Sequence, residues 1–263
     1  MLTINHYVRP QSLDEAYALC QKKSNVVLGG MLWLKMQNKT VDTAIDLCDL
    51  GLDTIEETED AYQIGAMVTL RDLEQHAGLC ALTQGAIAES VRHIVGVQFR
   101  NLATVGGSIF GRFGFSDVLT VFLALDAQVE LHGAGVMSLR DFSVLPYRRD
   151  ILVRLIVPKA ARRTVYLSQR NISTDFPVLT CAVSTDDTGT RCAVGARPMR
   201  ACVFTDEHGL LTEGITEESA RAFAREIASK AVFGSNMRAS AEYRRRICEV
   251  LVRRALLAMR EEE

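Results

Sequence analysis

Arg100-Asn101-Leu102-Ala103-Thr104-Val105-Gly106-Gly107-Ser108 places a glycine pair at the end of an apolar run that reads as a β-strand, with Gly111, Gly114 and Ser116-Asp117 close behind. Another pair stands far upstream, in Val26-Val27-Leu28-Gly29-Gly30. Glycine admits φ > 0 and lacks the Cβ that would block a ligand's approach. Backbone N–H groups turned outward at such a bend form a nest for an anion, most often a phosphate. Two such turns after separate strands predict a ligand with two phosphates, held between two loops.

Composition narrows the classes of function. At 263 residues the chain has room for one large domain or two modest ones. A formal net charge of −2 gives no electrostatic reason to expect nucleic acid as a partner. No apolar run approaches the roughly 18 residues of a membrane span. Met1–His6 lacks the basic and apolar regions of a signal peptide, so a cytoplasmic protein is expected. The seven cysteines are scattered without C-x-x-C spacing, which argues against a zinc or iron–sulfur site and for small buried hydrophobes. Redox chemistry in such a chain has to come from an organic cofactor.

Local patterns give the elements. Ser12 and Glu15 make a capping box ahead of a helix carrying Leu13, Ala16, Tyr17 and Cys20. Strands are expected at 25–28, 41–47, 62–67, 127–132 and 151–157, and a short helical segment between Met31 and Gln37. Thr69 caps a short helix, 86–95 is amphipathic, and Ser116 caps a helix running to about Leu125. The polar stretch 159–163 is the expected domain boundary. Beyond it come strands at 165–168, 178–183 and 191–194, with a hairpin turn at Asp186-Asp187-Thr188-Gly189, and helices at 217–231 and 239–260. In the last helix Tyr243, Ile247, Val250, Leu251, Leu257 and Ala258 form the apolar stripe, while Arg244-Arg245-Arg246 reads as a solvated face or a subunit contact.

Several segments, in this order, resemble one family. They are the strand ending in Leu28-Gly29-Gly30, then Ile64-Gly65-Ala66-Met67-Val68-Thr69-Leu70-Arg71-Asp72, then Gln98–Gly107, Asp117 with Leu123–Ala127, and Arg238–Arg244. Together they resemble the FAD-binding medium subunit of the molybdenum hydroxylases: xanthine dehydrogenase, carbon monoxide dehydrogenase and nicotinate dehydrogenase. R-N-x-A-T-x-G-G is the specific part. The resemblance implies an α+β chain: a two-subdomain FAD-binding domain of the PCMH/vanillyl-alcohol-oxidase type over 1–158 (subdomains about 1–55 and 56–158), then a small sheet-plus-helices domain over 159–263. It also implies an FAD pyrophosphate clasped by both glycine turns, a partner subunit with 2Fe–2S clusters, and a large molybdopterin subunit. Electrons would pass from the clusters through FAD to NAD or another acceptor.

Carried over by position, the resemblance makes Val27, Leu28, Gly29, Gly30, Met31, Leu32, Trp33 and Leu34 the first phosphate segment. Thr104, Val105, Gly106, Gly107 and Ser108 are the second. Asp117 becomes a ribose or pyrophosphate ligand, where the residues alone allow a plain helix cap. Ile94 packs near the adenosine and Leu152 beside the flavin. No acid–base triad and no metal ligand are expected. Ser108 has no G-x-S-x-G elbow and no histidine partner, so it reads as a phosphate ligand. The first loop departs from the family, which places small polar residues where this chain has Met31-Leu32-Trp33. The 110–115 loop either brings Arg112 or an aromatic ring to the flavin or is a surface loop. A stand-alone FAD oxidoreductase and a flavin-free scaffold are the alternative readings.

Overall fold

The computed structural model describes residues 1–160 and 163–260. Two residues of the expected boundary, Ala161 and Arg162, lie outside the described residues. The first unit is a parallel sheet of order β1-β3-β2, with β1 Thr3–Val8, β2 Val26–Leu28 and β3 Thr40–Asp46. Helix α1, Leu13–Cys20, begins at Ser12, whose hydroxyl accepts the Glu15 N–H (3.1 Å). The Glu15 carboxylate reaches back one residue further than a capping box requires, to the Gln11 N–H (2.8 Å).

An antiparallel sheet of order β4-β5-β8-β6-β7 follows: β4 Ile55–Glu57, β5 Ala61–Gly65, β6 Gln128–Leu131, β7 Gly135–Ser138 and β8 Leu152–Pro158. Between β5 and β6 the chain makes α2 Leu70–Gln75, α3 Ala77–Leu82, α4 Ala86–Arg92, α5 Val97–Arg100, α6 Val105–Phe110 and α7 Asp117–Ala124. A further helix, α8 Leu139–Val144, precedes β8. Every residue of α7 is buried, in keeping with a run Val118–Ala124 that is apolar except for Thr120. The first two units meet at Ala16, Cys20, Ile45 and Leu47 on one side and Leu52, Ile151 and Val153 on the other. Arg149 pins this junction, donating to the carbonyls of Cys20 (2.9 Å), Lys22 (3.0 Å) and Lys23 (2.9 Å).

The last unit is an antiparallel sheet of order β12-β11-β10-β9, with β9 Arg163–Gln169, β10 Leu179–Asp186, β11 Gly189–Gly195 and β12 Cys202–Thr205. Helices α9, Glu217–Lys230, and α10, Ala241–Ala258, pack on it. Strand β10 is buried on both faces. Leu179, Cys181 and Val183 face α9 and α10, while Ala182 joins the core around α7 and the Thr180 hydroxyl meets that of Thr120 (2.9 Å). Period-two alternation thus sorts one strand between two cores.

Three readings of the sequence are corrected here. The second glycine pair does not follow a strand: Gly106 and Gly107 lie in the first turn of α6, whose cap is Thr104. Its apolar run is helix and loop, zipped to the segment after β5 by Leu70 N–H to Ala103 O (2.8 Å) and Val105 N–H to Val68 O (2.9 Å). The buried face of α10 is also rotated from the expected stripe. It consists of Arg244, Cys248, Leu251, Val252, Ala255 and Leu256, while Tyr243 is exposed. Arg244 is therefore no solvated residue. Finally, β1, β4, β7 and β12 went unread because their residues are largely exposed or half-buried, so hydrophobic alternation is weak there.

Candidate functional site

A cavity of about 600 Å³ opens where the three units meet. Its wall includes every residue of 27–34, together with Ile94, Thr104, Gly106, Gly107, Ser108, Asp117 and Leu152. Val105 is not on that wall. It points into the core and is fully buried, because it is the first residue of α6 and its N–H is held by Val68.

The two glycine segments abut each other directly. A Cβ on Gly30 would overlap the Leu102 carbonyl, and one on Gly29 would come within 2.8 Å of the Thr104 hydroxyl. Neither glycine needs positive φ; that conformation falls on Met31, at φ 58°. An unbranched side chain in the left-handed region is uncommon and points to a loop fixed by its surroundings. The glycines thus serve close backbone approach, and the turn itself is made one residue later.

The supply of free donors is the reverse of what the motifs suggest. In α6 the Val105, Gly106, Gly107 and Ser108 N–H groups are all taken, by Val68 O, Ala66 O (2.7 Å), Thr104 Oγ1 (3.1 Å) and Thr104 O (3.1 Å). The Ser108 hydroxyl donates to Thr104 O (3.0 Å). In the first loop, by contrast, the N–H groups of Gly30, Met31, Leu32 and Trp33 make no hydrogen bond among the described residues, although they border the cavity. Apolar side chains leave these donors intact, since the nest is built from backbone. Asn25 adds a complementary group: it is buried, lies on the cavity wall, and its Oδ1 has no partner.

Asp117 sits at the start of α7 beneath the cavity, in contact with the last unit. Its carboxylate accepts from Arg170 and from the Tyr166 hydroxyl. Burial pushes the Asp117 carboxyl above its usual value, against the opposing pull of Arg170 and Tyr166. Burial and the adjacent Asp117 charge both drive the Tyr166 phenol well above its ordinary range. Arg170 was missed in the sequence because its meaning lies in a partner 53 residues away.

The arginine of the R-N-x-A-T motif is structural. Arg100 grips Glu74 through Nε (2.9 Å) and Nη2 (3.2 Å) and donates to the carbonyls of Arg92 (3.0 Å) and Ile94 (3.2 Å). It thereby holds the His93–Val95 wall of the cavity in place. Burial raises the Glu74 carboxyl, but bonds from Arg71 and Arg100 outweigh that and hold it below its ordinary 4.5. A depressed carboxyl stabilises the fold above its unfolded value and loses that contribution as pH falls through the folded one. Glu74→Gln is therefore expected to cost about 2 kcal/mol near neutrality. The gap from the parent should close below about pH 4.5 in urea unfolding measured across pH. A gap constant with pH would refute the pairing.

The 110–115 loop divides its roles. Arg112 is buried, donating to Phe142 O (3.1 Å) and Leu145 O (2.7 Å) beside the Phe142 ring, whereas Phe110, Phe113 and Phe115 reach the cavity wall. Among the described residues, no group of three or more His, Cys, Asp or Glu is placed to hold a metal ion, and no helix is long and apolar enough to cross a membrane.

Comparison with known proteins follows the same outline. Residues 2–160 match the model of the FAD binding domain in molybdopterin dehydrogenase, and 163–259 match the CO dehydrogenase flavoprotein C-terminal domain. The chain belongs to this flavoprotein family. Among its relatives is the nicotine 6-hydroxylase medium subunit of Paenarthrobacter nicotinovorans, 27% identical over 95% of each chain. Another is the uncharacterized protein YgfM of Escherichia coli K12, 29% identical over 95% of this chain and 94% of that one. The carbon monoxide dehydrogenase structure from Hydrogenophaga pseudoflava contains a chain of the same fold, with a TM-score of 0.84 at 24% identity and 96% of both chains covered. The chain is thus an FAD-binding component of an oxidoreductase, with its FAD-binding domain followed by a C-terminal domain.

Proposed function

We propose that this chain holds FAD in the cavity between its three units and acts as the electron-transfer medium subunit of a multi-subunit molybdenum hydroxylase. One observation carries the reading: the run of free N–H groups from Gly30 to Trp33 opens onto a cavity large enough for a dinucleotide. When bound, FAD supplies one- and two-electron chemistry that the side chains lack. Residues 27–34 would hold the pyrophosphate by backbone donors, with Thr104 and Gly106–Ser108 closing against it. Asp117 would face the ribose or pyrophosphate, Ile94 the adenosine and Leu152 the flavin. The unpartnered Asn25 Oδ1 would accept from a donor on the cofactor. Val105 supports the second segment from the core side.

The division of the chain follows this reading, with subdomains of about 1–55 and 56–158 clasping the cofactor and 159–263 closing one side through Arg170. A small subunit with 2Fe–2S clusters and a large molybdopterin subunit would complete the assembly. NAD or another acceptor would take the electrons, as in xanthine dehydrogenase. The purified chain is expected to bind FAD with the visible flavin spectrum, and to recover both partner subunits when isolated from its source. A colourless protein that takes up no added FAD would refute the proposal.

A further inference from the structure

The unusual Met31-Leu32-Trp33 loop carries more than a nest. Trp33 stacks on Phe176 with centroids 5.6 Å apart and an interplanar angle of 26°. It also tilts against Phe115 at 5.8 Å and meets Phe99 edge-on at 6.4 Å. Phe115 in turn meets Phe176 edge-on at 4.5 Å. Trp33 comes from the loop after β2 and Phe176 from the turn between β9 and β10, so the contact joins the first unit to the last. All four rings lie on the cavity wall, and Trp33 keeps 38% of its surface exposed. Core aromatics in this chain, such as Phe122 and Phe223, are fully buried. A cluster of large rings left open to a cavity is apolar surface awaiting a cover.

We infer that this cluster is a stacking site for a planar heterocycle joined to a diphosphate, and that the heterocycle is the purine. The inference rests on the FAD reading above. Its geometry is direct: Trp33 is the last residue of the free N–H run, so a diphosphate on those donors brings an attached base within reach of the indole. The purine is chosen over the isoalloxazine on shape. Phe115 stands at 56° to Trp33 and 61° to Phe176, so the rings present an angled surface with a short stacking face and no flat platform for three fused rings. The sequence departure that removed polar side chains from the loop thereby supplies a stacking residue and leaves the backbone donors in place.

Trp33 is the only tryptophan of the chain, so its emission reports this site alone. The test uses the full chain freed of flavin, titrated with ADP, FMN and inorganic pyrophosphate by calorimetry, with Trp33 emission followed during the ADP titration. Expected results are a change of that emission on adding ADP, and a roughly tenfold weaker ADP affinity in Trp33→Leu. Pyrophosphate and FMN affinities should be unchanged, and Trp33→Phe should recover most of the ADP loss. Thermal melts of both variants check that they are folded. Equal ADP affinity in the parent and a folded Trp33→Leu overturns the inference, and a loss confined to FMN overturns the purine assignment. FAD bound with its flavin spectrum while Trp33 substitution changes nothing removes the stacking role and leaves the FAD reading standing. A chain that binds neither FAD nor ADP fails at the earlier step.

Discussion

Replacing Gly30 by alanine is expected to destabilise the cavity side of the molecule by about 3 kcal/mol and to abolish retention of FAD. The added Cβ would overlap the carbonyl group of Leu102, a backbone group fixed at the end of α5. That segment cannot withdraw easily, because the neighbouring Ala103 accepts the Leu70 N–H and donates to Phe99 O (2.9 Å). Overlap with backbone cannot be relieved by a change of rotamer, so the first loop must shift and carry its free N–H groups off their line. Gly107→Ala provides the contrast. Its Cβ would meet only the Thr104 hydroxyl, at 3.1 Å, and alanine favours a helical position. That variant should melt close to the parent yet bind FAD more weakly, because the methyl group enters the cavity wall. Thermal unfolding with and without FAD separates the two effects. A Gly30→Ala protein that melts and binds like the parent would show that the two segments do not need their close approach.

The second large effect is expected in the C-terminal unit. Arg244 is fully buried, pairs with no carboxylate among the described residues, and donates to Val178 O (2.9 Å), Gly234 O (2.8 Å), Ala239 O (2.6 Å) and Asn236 Oδ1 (2.7 Å). One guanidinium thus ties α10 to the start of β10 and to the loop between α9 and α10. Its charge is compensated by carbonyl dipoles, and burial lowers its affinity for the proton. Arg244→Met keeps much of the volume but leaves these acceptors dry, at an expected cost of about 4 kcal/mol. Arg244→Lys should recover only part of it, since an ammonium has no planar fork to reach both sides. Urea unfolding followed through the C-terminal helices reads both variants. A methionine variant within about 1 kcal/mol of the parent would mean that water satisfies the freed carbonyls.

Much of this molecule was legible in its residues. Ser12, Thr69 and Ser116 announce helices that begin where those hydroxyls accept an N–H, whereas the cap of α10 at Ser240 was not read and its helix was expected to begin at 239. The strands at β3, β5, β8, β10 and β11 follow from runs of apolar or β-branched residues, as does the turn at Asp186–Gly189. The order of the glycine motifs led to the family and to the cavity. Signals failed where a residue's meaning lies in a distant partner. Arg244 looks like a surface charge until the carbonyls it binds are seen, and neither the carbonyl partners of the motif residue Arg100 nor the contacts of Asp117 with Arg170 and Tyr166 can be read from the chain.

The sequence by itself therefore determined the helix caps, the strand periods and the order of motifs that carries the resemblance to the family, all local signals that survive without a structure. Tertiary structure decided which glycine pair keeps donors for a ligand, and it chose the one with the less familiar side chains. The physical reason is that an N–H is free or taken according to which carbonyl lies opposite. Val68 and Ala66, from the segment after β5, and Thr104 at the cap occupy the donors of α6, while among the described residues no acceptor takes those of Gly30 to Trp33.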